Sequence, residues 1–318
     1  MMASLPHQPV MLVEVVEALT PRQGASYLDA TFGRGGYSRA ILEAAECKVV
    51  AIYRDPEAIA AGQNLVTTFS GRLAICEGRF SQLATLAAKL GQAKFDGVVF
   101  DLGLSSPQID AAERGFSFKN DGPLDMRMER DGPDASDFVN TASPQRLERV
   151  LRDYGEERAA RRIARAICTA RDETPITRTL QLAEIIRAVM PRPKPGQIDP
   201  ATRSFQAIRI EINEELDEIR QALAAAETCL NPGGILAVVS FHSLEDRIVK
   251  RFMRDRSDAA PRPSRHVPDI ERPAPSFSLI TRRPITPGAS ETVTNPRARS
   301  ARLRVAMRTE APAHREAA

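Results

Sequence analysis

A glycine-rich segment, DATFGRGGYS at positions 29–38, contains the residues whose types and spacing most directly indicate chemistry. It begins with Asp29 at the end of an apolar run and leads into a predicted helix from about Tyr37. Glycines let a backbone approach a ligand closely, and the first N–H groups of a helix bind a carboxylate or a phosphate. Gly33, Gly35 and Gly36 therefore predict a site for a nucleotide-like ligand.

The spacing of these glycines distinguishes between two candidate cofactors. A dinucleotide-binding turn has glycine at its first, third and sixth positions. Counted from Gly33, the third position is Gly35 but the sixth is Ser38. The spacing favours S-adenosylmethionine over NAD, and a purely structural turn in an open α/β protein is the alternative for the motif taken alone.

Composition limits the class of protein. With 318 residues, 42% of them hydrophobic, the chain can form one large domain with an insertion, or two domains. Its four cysteines lie far apart with no CxxC pair, so we expect reduced thiols and no metal site. The sequence has neither a signal-peptide pattern nor an apolar stretch of about 18 residues. We therefore expect a cytoplasmic protein without a membrane span, and the sequence does not indicate its oligomeric state.

The net charge of +3 is unevenly distributed along the chain. From Arg251 onward there are 14 arginines and no lysine, against 7 acidic residues. Arginine suits bidentate phosphate contacts, so this segment predicts contact with a nucleic acid. The alternatives are a solvated extension or a strand that completes the sheet.

A second basic group has two interpretations. Its members lie within one predicted helix and either bind RNA phosphate or, with the neighbouring Glu156 and Glu157, form a solvated face of mixed charge. They are Arg158, Arg161, Arg162 and Arg165.

Apolar runs alternate with helical patterns over the first hundred residues. This predicts an α/β fold with a parallel sheet covered on both faces, and strands at 26–30, 48–52, 73–77 and 96–103. In such sheets ligands bind at the carboxyl ends of the strands. One crevice is therefore expected to gather the residues at these ends, Asp29, Tyr53, Glu77 and Asp101.

The alternation stops after Leu104, and 137–190 has helical patterns with no strand between them. A further strand is predicted at 233–241, after one long helix with apolar residues at spacings of three and four: Ile208, Ile212, Leu216, Ile219 and Leu223. We predict a sheet domain in two parts, 1–112 and 206–318, with an all-helical insertion at 113–205 for substrate recognition. A loosely ordered proline-rich loop at 261–296 is expected before the basic C-terminal segment.

Longer motifs extend along nearly the whole chain. They include HQPVML at 7–12, DATFGRGGYSRAIL at 29–42, FDLGLSSPQID at 100–110, PLDMRM at 123–128, YGEERAARRIARAI at 154–167, ATRSFQAIRIEINEEL at 201–216, SFHSLEDRIVKRF at 240–252 and NPRARSARLR at 295–304. In this order they resemble the bacterial ribosomal RNA small subunit methyltransferase H family. The resemblance implies a Rossmann-like S-adenosylmethionine-dependent methyltransferase domain with an inserted helical domain. It further implies methylation of the N4 amine of a cytidine in 16S rRNA, within the small ribosomal subunit and near the decoding centre.

The same resemblance implies a set of cofactor-binding residues, and the sequence departs from the family pattern at two positions. Tyr37 stands where the family usually has histidine. Tyr53 stands where the second strand typically ends in an acid that binds the ribose hydroxyls, and Asp55 is either its substitute or a helix N-cap. The implied cofactor contacts are Gly35, Gly36, Tyr37, Tyr53, Phe80, Asp101 and Gln108.

Asp101 is the candidate catalytic residue. The lone pair of an exocyclic cytosine amine is delocalised into the ring, so catalysis depends mainly on positioning. Asp101, at a strand end, positions the reacting groups either by accepting a hydrogen bond from the amine or by holding the cofactor. Methylation at cytosine C5 needs a cysteine nucleophile, and no cysteine lies in this loop.

Other functional classes are weaker interpretations. Ser240, His242 and Asp246 are too close in sequence for a hydrolase triad, and there is no GxSxG motif. A nicotinamide oxidoreductase conflicts with the glycine spacing, and a DNA amino-methyltransferase conflicts with the continuous resemblance to the rRNA family. The main alternative is a non-catalytic RNA-binding ribosome assembly factor with a weakened cofactor site.

Overall fold

A computed structural model of the chain describes residues 9–104, 106–129, 131–259 and 273–314. They form two compact units, one from 1–103 with 216–318 and the other from 104–215. The second unit begins before the predicted insertion at 113–205 and ends after it. No helix among the described residues has the length and apolar character that a membrane span requires.

The first unit is a seven-stranded sheet with helices. Its strand order is β3-β2-β1-β4-β5-β7-β6, in which β1 to β5 run parallel and β7 is antiparallel to both neighbours. The strands are β1 Ser26–Asp29, β2 Lys48–Tyr53, β3 Leu73–Glu77, β4 Phe95–Asp101, β5 Leu230–Ser240, β6 Phe277–Leu279 and β7 Arg302–Arg308. The helices are α1 Leu12–Leu19, α2 Gly36–Ala44, α3 Pro56–Thr68, α4 Leu83–Lys89, α11 Glu215–Cys229, α12 Ser243–Asp255 and α13 Ala289–Thr294, with short 3₁₀ turns at Phe80–Gln82 and Pro296–Ser300.

The sequence pattern explains why these segments fold as they do. Tyr27, Leu28, Val98 and Val99 are all buried, as expected for strands covered on both faces. The predicted α/β class with a parallel sheet is confirmed, and the ends of β1 to β4 are the four predicted residues. This places their side chains at one edge of the sheet.

The second unit consists of helices wherever the structure describes regular structure in it. They are α5 Ser106–Asp110, α6 Ala135–Thr141, α7 Pro144–Asp153, α8 Ala160–Glu173, α9 Thr179–Ala188 and α10 Ala201–Ile212, with a 3₁₀ turn at Ala112–Arg114. It has its own apolar core, to which Phe138, Leu147, Ile163, Leu182 and Ile208 belong.

The single long helix predicted across Ile208 to Leu223 is wrong. One helix ends at Ile212 and the next begins at Glu215, with Glu214 in a left-handed conformation at φ 52°. Asn213 ends the first helix because its buried side chain donates to Met126 O and accepts from Met128 N, both at 2.8 Å. These contacts outweigh the helical periodicity of the apolar residues.

The basic C-terminal segment is a strand rather than a loose extension. β7 lies between β5 and β6, and Arg304 and Arg308 are almost fully buried. Arg304 binds the Asp246 carboxylate at 2.7 and 3.2 Å, and Arg308 donates to backbone carbonyl groups. Arg304 and Arg308 therefore stabilise the fold, and the strand that completes the sheet is the third interpretation given for this segment.

The predicted loose loop at 261–296 is only partly covered by the description. Residues 261–272 lie outside the described part of the chain. The remainder contains β6 and α13, so the prediction of a loose connection is wrong for those residues.

Candidate active site

The candidate site lies where the strand order of the sheet reverses. Asp29 ends β1 and aligns with Ala51 of β2 and Val99 of β4. The two neighbouring strands continue two residues further, to Tyr53 and Asp101. This leaves a recess above β1, at the kind of position where open α/β sheets bind ligands.

The glycine-rich turn that follows β1 is fixed to both neighbouring strands. Phe32 N donates to Ile52 O of β2 at 3.1 Å. On the other side, the backbone N–H of Asp101 donates to Thr31 Oγ1 at 2.6 Å. Because these bonds leave the turn little freedom, the start of α2 has a defined position beside the ends of β2 and β4.

Asp29 holds this turn from below. Its Oδ2 accepts from Ser38 Oγ in α2 at 2.7 Å, and its Oδ1 accepts from Thr31 N at 3.2 Å. Burial raises the pKa of Asp29 to about 6, and these hydrogen bonds oppose the rise. Asp29 therefore serves as an internal brace for the turn, although the sequence placed it among the residues lining the crevice.

The structure gives two reasons for the glycines. Gly33 and Gly35 have φ of 54° and 74°, a left-handed conformation that glycine adopts without strain. A Cβ on Gly36 would lie 2.1 Å from Pro9 Cγ, and one on Gly35 would lie 2.7 Å from Leu65 Cδ2. Packing against the chain's own side chains is therefore a further reason for glycine at the last two positions.

The first turn of α2 can still bind an anion. It contains no acidic side chain, and Gly35 at its N-cap offers no side-chain acceptor. Tyr37 is buried, and its hydroxyl donates to the carbonyl of Val10. Its phenol is therefore committed to the interior, which leaves the backbone N–H of Tyr37 as its possible contribution to ligand binding.

Two aromatic residues flank the recess. Tyr53, half-buried against the core of the sheet, is the last residue of β2 and aligns with the exposed Glu77. Phe80 follows β3 and packs edge-on to Phe100 of β4, with ring centroids 6.1 Å apart.

Asp55 caps α3 by accepting a hydrogen bond from the backbone N–H of Glu57 at 3.1 Å, and its side chain is buried. This confirms the N-cap interpretation of Asp55.

Asp101 is the most unusual carboxylate of the recess. Its Oδ1 is shielded from solvent and has no hydrogen-bond donor among the described residues. Burial, followed by the negative charges of Asp29 and Glu245, raises its pKa well above the usual range. A buried carboxylate oxygen without a donor is costly, and a ligand that supplies an N–H group would offset this cost.

Glu245 is a residue that the sequence reasoning did not select. It is buried at the start of α12, and its Oε2 accepts from Phe241 N at 2.7 Å and His242 N at 3.2 Å. The sequence signal for it is an acid three residues after a helix N-cap, which is typical of a capping box.

Asp246 binds Arg304, so it cannot orient His242, and the exclusion of a hydrolase triad is confirmed.

The remaining predicted residue lies in the second unit. Gln108 is part of the short helix α5 and is 3% exposed. The structure thus brings Gly35, Gly36, Tyr37, Tyr53, Phe80 and Asp101 to one edge of the sheet in the first unit, and describes Gln108 separately.

Comparison with known proteins identifies the family. The MraW methylase family matches residues 4–309. The chain belongs to this family. Proteins named ribosomal RNA small subunit methyltransferase H are similar to it throughout: one from Rhodopseudomonas palustris is 58% identical over 97% of this chain and 92% of its own length. Another, from Paramagnetospirillum magneticum, is 54% identical over 98% of both chains.

Solved structures are less similar to the chain. An rRNA methylase from Streptococcus thermophilus has 9% identity and a TM-score of 0.42 over 96% of this chain and 100% of that chain. Membership of the methylase family indicates S-adenosylmethionine as the cofactor.

The residues of the recess fit that cofactor. Its amino-acid carboxylate matches the N–H groups in the first turn of α2, which no side chain caps. Its adenine ring matches the aromatic side chain of Phe80, and its ribose hydroxyls match the hydroxyl of Tyr53. The acceptor oxygen of Asp101 suits an ammonium or amine donor.

Proposed function

We propose that this protein uses S-adenosylmethionine to methylate the N4 amine of a cytidine in 16S rRNA, near the decoding centre of the small ribosomal subunit. Support for the RNA substrate comes from the names of full-length relatives at 54–58% identity. The observation that carries the amine chemistry is the shielded Oδ1 of Asp101, which has no donor among the described residues.

The role of Asp101 follows from the weakness of the nucleophile. An exocyclic cytosine amine becomes nucleophilic when its lone pair leaves conjugation with the ring. Asp101 Oδ1 accepts one amine N–H, which orients the lone pair and stabilises the positive charge that develops on nitrogen. The new N–C bond would form as the S–C bond to the methyl group breaks, with a neutral thioether as the leaving group. The carboxylate takes the proton that the methylated amine loses and then passes it to solvent.

Binding of the cofactor is assigned to the other residues of the recess. When bound, it supplies an activated methyl group on a positively charged sulfur. The backbone N–H groups of Gly36 and Tyr37 hold its carboxylate, with Gly35 shaping the turn. Tyr53 donates to a ribose hydroxyl, Phe80 packs on the adenine, and Gln108 adds a polar contact.

The experiment is to identify the methylated product. Small subunits from cells that lack this activity are incubated with the protein and with S-adenosylmethionine labelled in its methyl group. The rRNA is then digested to nucleosides. We expect label in N4-methylated cytidine, from one position of 16S rRNA. Label in 5-methylcytidine or in adenosine would contradict the amine chemistry proposed for Asp101. Binding of the protein to the subunits without any methyl transfer would instead support a non-catalytic assembly factor.

A further inference from the structure

Four arginines at the start of α8 form an unneutralised basic surface in the second unit. They line one open surface depression together with Ala159, and all four are exposed. Arg161, Arg162 and Arg165 lie in the first two turns of α8, where spacings of three and four place side chains side by side, and Arg158 lies in the turn before the helix. We call this set, Arg158, Arg161, Arg162 and Arg165, the α8 arginine face.

These arginines lack the partners that other arginines of the unit have. Arg146 lies 2.7 Å from Glu211, and Arg178 lies 2.7 Å from Asp121. Among the described residues, no carboxylate lies within ion-pair distance of the α8 arginine face. Its one polar contact there is Arg162 Nη2 at 3.5 Å from Met190 Sδ.

The adjacent Glu157 does not neutralise this face. Glu157 is 6% exposed, and its Oε1 accepts from Ala159 N at 2.9 Å, so its carboxylate is turned inward at the start of the helix. The first turn of α8 contains no acidic residue. The mixed-charge interpretation of this helix is therefore wrong for Glu157.

The arrangement opposes helix stability. Arg161 and Arg165 are four residues apart in α8, a spacing at which like charges repel. Arg161 and Arg162 also lie in the first turn of α8, where the backbone dipole is positive and cations are disfavoured. A surface that is unfavourable in the free protein is favourable when a polyanion covers it, because guanidinium groups bind phosphates in bidentate geometry.

We infer that the α8 arginine face binds the phosphate backbone of the rRNA substrate. This inference rests on the proposed rRNA substrate and assigns its backbone contact to a surface in the second unit. Within the C-terminal segment, Arg304 and Arg308 are buried in the sheet and are not available for such a contact. The contact is independent of base sequence, so it contributes affinity and orientation but no choice of nucleotide.

The test compares two double variants in the full-length protein. In one, Arg161→Gln and Arg165→Gln remove two members of the face. In the matched control, Arg146→Gln and Arg178→Gln remove two exposed arginines of the same unit that are ion-paired. Binding to a 16S rRNA transcript is measured between about 50 and 300 mM KCl, with thermal unfolding of each protein measured in parallel.

We expect the face variant to bind about tenfold more weakly at low salt and to lose about two units of the salt-dependence slope, about one per phosphate contact. Its unfolding midpoint should rise, since repulsion within α8 is relieved, whereas the control should unfold at a lower temperature and retain its slope. In methylation assays the KM for small subunits should rise, and the KM for S-adenosylmethionine should stay constant.

Each contrary result has a separate meaning. Equal slopes for the face variant and wild type, in a protein that methylates subunits, overturn the phosphate contact and leave the proposed function intact. Absence of methylation by the wild type overturns the proposed function itself. If the variant retains rRNA binding but loses binding to vesicles of phosphatidylglycerol, the face serves a lipid surface and the inference is wrong.

Discussion

The brace formed by Asp29 gives a stability prediction whose size follows from its pKa. The carboxyl is buried under the glycine-rich turn, and burial raises its pKa from 3.8 to about 6. Because the raised value favours the protonated form in the folded state, the contribution of Asp29 to the free energy of unfolding is largest at low pH. It falls as pH rises from about 4 to about 6. A shift of about two units corresponds to about 3 kcal/mol.

Asp29→Asn removes this titration and keeps the shape of the side chain. An asparagine can still accept from Thr31 N and contact Ser38 Oγ. Relative to wild type, we expect the variant to become more stable by about 3 kcal/mol on going from about pH 4 to about pH 7.5. Urea denaturation of both proteins at each pH, monitored by far-UV circular dichroism, measures this difference.

Other carboxylates affect both proteins equally, so the difference between the two curves isolates Asp29. Asp258→Asn is the matched control, since it removes an exposed carboxylate of the same unit and should show no comparable trend. A difference between Asp29→Asn and wild type that stays constant across this pH range would refute the assignment of a buried, raised-pKa brace.

Two further predictions concern the cofactor site and the C-terminal strand. Tyr53→Asp should tighten S-adenosylmethionine binding by about tenfold, because a charged hydrogen bond to ribose contributes about 1.5–3 kcal/mol against about 0.5–1.5 kcal/mol for a neutral one. Calorimetric titration of both proteins measures this, and equal or weaker binding by the variant would mean that the site is adapted to tyrosine. Asp246→Asn should lower the free energy of unfolding by about 3–5 kcal/mol at neutral pH, since it leaves the buried Arg304 without a negatively charged partner. A loss below about 1 kcal/mol in urea denaturation would contradict this.

Local patterns were sufficient to predict the strands and the edge of the sheet that holds the site. Apolar runs ending in a polar residue located the ends of β1 to β4, because a buried parallel strand requires a continuous apolar sequence. The N-cap at Asp55 was also readable from its neighbour Pro56, which suits the first turn of a helix.

Contacts distant in sequence account for what could not be predicted. Asn213 ends α10 because of backbone groups near Met126, which sequence periodicity cannot show. Arg304 looked like an RNA ligand until its partner Asp246 was known, and Gly36 is required by Pro9. Residue type alone does not distinguish an arginine that binds a ligand from one that pairs internally.

The most direct test of the central claim is the rate of methyl transfer by Asp101→Asn on undermethylated small subunits. The account predicts a rate at least about 100-fold below wild type, with cofactor affinity changed by no more than about threefold. The pH profile of the wild type should rise through a pKa above the usual carboxyl range, and the residual activity of the variant should lack this rise. A rate within a few-fold of wild type, or a loss of rate explained entirely by lost cofactor binding, would contradict the claim that Asp101 orients the acceptor amine.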